Sequence, residues 1–242
     1  MNTKTLGLSA GILMCLSLPA HAIELNEDFS LKVALTALSD YRTGGISQTL
    51  GDPALWVDAS IVHSSGAYVG VFTSNADFGT DAKREYDYYI GFAHDFTEDI
   101  NASLTYYEYD YPKDSGLNYG EWIGTIGAYS ATLGVKYAKD IKPFGDDREV
   151  IWLGYAFHLP YETTLDLRYG YNDSKDDVWI SANGSARSSY YDWEVGVSKQ
   201  VFGFDWRVAY MDTNLSKAEC ASVNSFDDVC SATVVASVGK TF

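Results

Sequence analysis

Beyond its first 22 residues the chain lacks any apolar run of about 18 residues, so no helix is long enough to cross a bilayer. Basic residues are scarce. Lysine and arginine number 17 against 33 aspartates and glutamates, a formal charge of -16, which leaves no basic stripe for nucleic acid. Histidines number 4, none near Cys220 or Cys230, so a zinc site of the usual kind is not expected there. Prolines number 5, at turns or strand ends, and no linker divides the chain. A Walker loop, a G-x-S-x-G elbow and an H-E-x-x-H motif are missing, and no cofactor is expected.

What is present begins with a leader. Lys4 forms a short positive n-region, Leu6 to Leu18 an apolar h-region, and Ala20-His21-Ala22 a small-x-small site. These read as a secretory signal peptide over 1–22 with cleavage after Ala22, leaving one large β domain over 23–242. Loss of Lys4 makes the mature chain more acidic still. Of the 3 cysteines, Cys15 leaves with the leader. Cys220 and Cys230 lie in one polar stretch of an exported chain, so a local disulfide is expected, stabilising by about 2–3 kcal/mol.

The stretch Tyr190–Val201 sets the pattern for the rest. Tyr191, Trp193, Val195 and Val197 alternate with Tyr190, Asp192, Glu194, Gly196 and Ser198, which gives a strand one apolar and one polar face. Helical periodicity would scatter Asp192 and Glu194 among the hydrophobics. The same alternation recurs where Leu165, Leu167 and Tyr169 oppose Asp166, Arg168 and Gly170, and where Trp206 and Val208 oppose Asp205 and Arg207. Burying such ions in a dry core costs several kcal/mol each unless they are paired, whereas a wet lumen tolerates them.

About twelve such segments are expected, near 30–42, 54–63, 67–78, 85–96, 100–111, 121–129, 131–140, 149–159, 162–172, 190–201, 204–213 and 231–242. Faces are not assignable in 67–78 and 121–129. Tight breaks near 64–66, 97–99, 130, 160–161 and 202–203 alternate with longer ones near 43–53, 79–84, 112–120, 141–148, 173–189 and 214–230. Short periplasmic turns alternating with long outer loops are the pattern of a transmembrane, antiparallel, up-and-down β-barrel. Aromatics make up 15% of the chain, and this excess fits interfacial girdles. Tyr86, Tyr88, Tyr169, Tyr171, Tyr191 and Trp193 are expected in an outer girdle, with Phe96 and Phe157 nearer the inner one and Lys199 snorkelling there. The last segment ends on Phe242, the kind of terminus by which barrel-assembly machinery recognises its substrates.

Gly45-Ile46-Ser47-Gln48-Thr49 followed by Gly51-Asp52-Pro53-Ala54 resembles the TorF-type (Gcw_chp-like) porin family of proteobacterial outer membranes. The likeness continues through Ser74-Asn75-Ala76-Asp77-Phe78, Glu85-Tyr86-Asp87-Tyr88-Tyr89, Tyr109-Asp110-Tyr111-Pro112 and Tyr191-Asp192-Trp193. It implies a channel-forming barrel and names no solute. The family's arginine directly before the Gly-Ile-Ser-Gln block is replaced here by Gly44, with the arginine at Arg42.

These features lead to an outer-membrane porin-like channel for passive diffusion of small hydrophilic solutes or ions, with a preference for cations, and to no enzymatic step. Asp58, Asp87, Lys136, Asp166, Arg168, Asp192, Glu194 and Arg207 are the expected pore-lining residues. Outer-membrane lipid and lipopolysaccharide are the expected surroundings. A non-conducting barrel, plugged by pairs such as Asp166/Arg168 and serving adhesion or envelope integrity, is the alternative. A soluble ligand-binding barrel ranks below both. His63, His94 and His158 fall at periplasmic strand ends, the wrong end for a barrel hydrolase. The acidic pairs Asp146-Asp147 and Asp176-Asp177, with Asp173, are read as solvated loops before divalent-cation sites.

Overall fold

The computed structural model describes residues 22–141 and 147–242. The leader up to residue 21, and Asp146, lie outside them. A closed barrel of 12 antiparallel strands organises the rest. The strands are β1 (Phe29–Leu38), β2 (Ala54–His63), β3 (Ala67–Asn75), β4 (Arg84–Asp95), β5 (Ile100–Asp110), β6 (Tyr119–Ala128), β7 (Ala131–Lys139), β8 (Asp147–Leu159), β9 (Thr163–Asp173), β10 (Ser189–Val201), β11 (Phe204–Thr213) and β12 (Thr233–Thr241). Each pairs with its neighbours in sequence, and β12 closes on β1 with Ser237 opposite Leu38 and Thr241 opposite Ala34. Closure removes the unpaired edges that an open sheet would leave.

Period-two alternation now has a physical meaning. Ile90, Leu104, Leu153, Val195, Val197, Trp206 and Val208 all stand exposed on the outer wall. Water would charge about 25 cal/mol for each Å² of that apolar belt, so the belt belongs in lipid and the barrel spans a membrane. Toward the loop end Tyr191 packs on Tyr169 and Tyr171, with centroids 5.5 and 5.3 Å apart. At the turn end the Lys240 ammonium sits 5.5 Å from the Phe204 ring and 5.1 Å from the Phe242 ring.

Several expected strand limits shift. The first strand ends at Leu38 rather than near 42, because Asp40 turns the chain by accepting bonds from the Ser47 hydroxyl (2.6 Å) and Arg42 Nε (2.5 Å). Likewise β3 stops at Asn75, and Asp147 opens β8 rather than lying in a loop. The two unassigned segments also resolve. Tyr68, Phe72 and Ser74 point inward from β3, and Glu121, Ile123 and Thr125 from β6. Inward aromatics in β3 and inward Ile123 beside outward Gly124 blur the polar-in rule there.

One end carries tight turns, Ile23 and Phe242; the other carries the loops. In the 214–232 loop, α1 (Lys217–Asn224) begins with a reciprocal cap between Ser216 and Glu219. The Arg187 fork grips the Glu219 carboxylate at 2.7 and 3.1 Å. Cys220 and Cys230 are disulfide-bonded, with Cα atoms 5.9 Å apart. Ile46, Trp179, Tyr190, Val229 and this disulfide form a small apolar core above the barrel.

Candidate functional site: the lumen and the strap across it

Every residue expected to line a pore projects into the barrel interior, but the pairs they form differ from expectation. Asp166 and Arg168 lie two apart on β9, share a face and do not bind each other. Arg207 of β11 reaches Asp166 at 2.5 Å and also pairs with Glu194 of β10, while Arg168 pairs with Asp192 of β10. Asn172 Nδ2 donates to the free oxygen of Asp192 at 2.7 Å. The register explains this ladder. Gly170 lies opposite Asp192 and Gly196 opposite Asp166, so each carboxylate faces a residue with no side chain. A Cβ at Gly196 would overlap the Arg207 guanidinium and the Asp166 carboxylate.

The opposite wall is built from tyrosines and carboxylates. Glu121 accepts from Arg148 (3.0 Å) and the Tyr109 hydroxyl (3.0 Å), with the Lys136 ammonium 3.8 Å away. Glu85 accepts from the Tyr41 and Tyr111 hydroxyls at 2.9 and 2.6 Å. Asp58 accepts from Tyr89 at 3.0 Å. Asp87 is 4% exposed, and its Oδ1 has no hydrogen-bond partner among the described residues. A run of rings, Tyr68, Tyr89, Tyr107, Tyr109 and Tyr119, covers this wall at centroid spacings of 4.4 to 6.2 Å.

An open, water-filled lumen does not describe these groups. Glu85, Glu121 and Asp192 are each 1% exposed. Burial at that level is sustained only by pairing, since an unpartnered buried ion costs several kcal/mol. Of the inward charges, Glu85, Glu121 and Arg148 were not singled out from the sequence. Glu85 carried a usable sign, lying in phase with Asp87 on the polar face of its strand, whereas Glu121 shares its face with Ile123 and gave none.

What fills the loop end is the 39–53 segment joining β1 to β2. Its Tyr41 ring packs edge-on against Trp56 of β2 and Phe72 of β3, at 5.0 and 6.4 Å, and its hydroxyl binds Glu85 of β4. On the other wall, the Tyr190 hydroxyl of β10 donates to Gly44 O at 3.0 Å. Gly44 and Gly45 adopt φ of 55° and 78°, and a Cβ on Gly44 would lie 2.8 Å from Tyr190 Oη and 3.0 Å from Asn172 Oδ1. Left-handed backbone and close approach together require glycine at this crossing. Arg42 donates Nη1 to Gly45 O and to Ser231 O, both at 2.8 Å. The segment is a strap across the lumen.

The histidines do not gather. His63 bonds Ser65 Oγ at 2.8 Å, and His94 lies between the Phe92 and Phe96 rings. Among the described residues no group of three or more His, Cys, Asp or Glu is arranged to hold a metal ion. In the acidic 174–188 loop, Lys175 engages Glu149 at 2.8 Å and Asp173 at 3.0 Å.

The Gcw_chp model, described as a bacterial protein of unknown function, matches residues 24–242. The chain belongs to the Gcw_chp family. The strap block and the lumen walls all lie within the matched span of this Gcw_chp barrel. No curated protein matches the chain in sequence. Among solved structures, it is similar to the KdgM porin at 7% identity and a TM-score of 0.53, covering 87% of this chain and 98% of that one. It is similar to the NanC porin at 8% identity and 0.53, again over 87% and 98%. A structure from work on in-meso crystallization of membrane proteins gives 8% and 0.54 over 88% and 83%. At such identities the likeness concerns the fold alone.

Proposed function

We propose that this barrel is an outer-membrane, porin-like channel for passive diffusion of small hydrophilic solutes or ions, with a preference for cations. The observation that carries the reading is a closed barrel with an apolar belt outside and charged side chains from most of its strands inside. Such a wall provides polar contacts across a thickness that otherwise has none. Cation preference is supported by the excess of carboxylates over the cations Lys136, Arg148, Arg168 and Arg207 among the named inward groups. The likeness to the KdgM and NanC porins supports the channel reading, as does the resemblance to TorF-type porins. In this reading export uses the 1–22 leader, assembly uses Phe242, and lipopolysaccharide surrounds the loop end.

The test is reversal potential across a salt gradient, with the purified chain in a planar bilayer. A cation-directed potential is expected, and an anion-directed one removes the preference. Absence of any conductance, with the loop-end strap removed, removes the channel. The burial of the lumen charges favours a second reading, a barrel that does not conduct and serves through its loops, and the same measurement separates the two.

A further inference from the structure

A connection between adjacent antiparallel strands needs roughly 2–5 residues. Strands β1 and β2 pair directly from Phe29–His63 to Leu38–Ala54, yet the whole 39–53 segment intervenes. Most of that surplus chain does not extend into solvent. Tyr41 is 3% and Thr49 1% exposed, and the strap's polar groups bond to one another, as Ser47 and Thr49 do to Asp40, and to the barrel wall and a neighbouring loop.

We propose that the 39–53 strap is a resident plug that sets the narrowest point of the passage, and that the disulfide-bound 229–231 segment is its anchor. The proposal rests on the channel reading above and adds where the passage is closed and by what.

The anchor has independent support. Ser47 N donates to Val229 O at 2.9 Å, Arg42 donates to Ser231 O at 2.8 Å, and Thr213 Oγ1 donates to Cys230 O at 3.1 Å. All three bonds fall on the few residues around Cys230, which Cys220 ties back to α1. The wall-side latch is also confined to a few bonds. Tyr41 shares Glu85 with Tyr111, so withdrawal of the strap leaves that buried carboxylate one hydroxyl donor. Tyr190 loses only its bond to Gly44 O. A plug held this way leaves and returns without stranding a buried charge, unlike the Arg207 ladder, whose opening would separate ions. The strap is therefore the movable obstruction and the ladder the fixed one.

The experiment uses the full chain and three perturbations, each checked for folding by heat-dependent gel mobility. In the first, residues 41–51 are replaced by a short Gly-Ser turn. The second is Arg42→Ala with Tyr190→Phe. In the third, an added dithiol reduces the Cys220–Cys230 disulfide to two thiols and is itself oxidised to a cyclic disulfide. Removing the strap is expected to raise unit conductance about threefold or more, as follows when the narrowest section sets the resistance. The latch variant and the dithiol are expected to lengthen open times while leaving the conductance of the open level unchanged. Equal unit conductance with and without the strap overturns the proposal and leaves the channel reading standing. Failure of the folded, strap-free barrel to conduct overturns both. Where strap removal prevents folding, unchanged open times in both the latch variant and the reduced protein overturn the plug.

Discussion

Asp192 joins the two parts of the lumen. It accepts from Arg168 and Asn172, faces Gly170 across the register, and its Cβ lies 3.4 Å from where a side chain at Gly45 would begin. Its inward direction was legible from alternation along Tyr190–Val201. Its partner was not, because alternation assigns a face and only inter-strand register assigns a neighbour. Asp192→Asn takes from the Arg168 guanidinium, still mostly buried, the carboxylate it is bonded to, leaving only Glu194 across the register. We expect a loss of about 3 kcal/mol, the lower end for breaking such a pair because Arg168 keeps some exposure. The unfolding midpoint in detergent measures it, and an unchanged midpoint would mean that the pair contributes nothing net. The same variant is expected to weaken cation preference.

Among the elements, the β10–β11 turn is the clearest departure from local preference. Phe202 and Gly203 both have left-handed φ, 55° and 75°, as a two-residue type I′ hairpin requires. Glycine or asparagine suits the first position; a phenylalanine costs roughly 1 kcal/mol there. Tyr129 and Tyr161 repeat the anomaly in the β6–β7 and β8–β9 turns. Phe202 is 96% exposed, so no protein contact offsets the strain. Phe202→Asn is therefore expected to raise stability in detergent by about 1 kcal/mol; a lower denaturation midpoint would show that the ring is held by the surrounding amphiphile. The α1 cap makes a different prediction. Burial alone would raise the Glu219 carboxyl, but the Arg187 fork and the Ser216 hydroxyl and amide outweigh it and hold the group below its ordinary value of 4.5. A carboxyl lowered on folding contributes stability above its unfolded value and loses it as pH falls through the folded one. Amide exchange in α1 should accelerate as pH drops below 4.5 beyond the intrinsic rate change; protection that stays flat there would exclude the linkage. This helix was not expected from the sequence, because a single short, polar, capped turn gives no periodic apolar stripe.

At the scale of the whole molecule, a formal charge of -16 is divided between exposed loops and a buried lumen, and in the proposed channel only the second part would filter ions. The reversal potential reads that second part alone when salt screens the loops over about 10 Å. Alternation, loop-length segregation and the apolar belt were determined by sequence, because lipid outside and polar lumen inside impose a period of two on every spanning strand. Strand number and the inward direction of Asp58, Asp166 and Arg207 follow from the same constraint. Which charges pair, how tightly the lumen is filled and that 39–53 turns inward were decided by tertiary structure. Tyr41 meets Glu85 across 44 positions of chain, and Tyr190 meets Gly44 across 146. Contacts of that range depend on barrel closure and register, which no local pattern of side chains encodes.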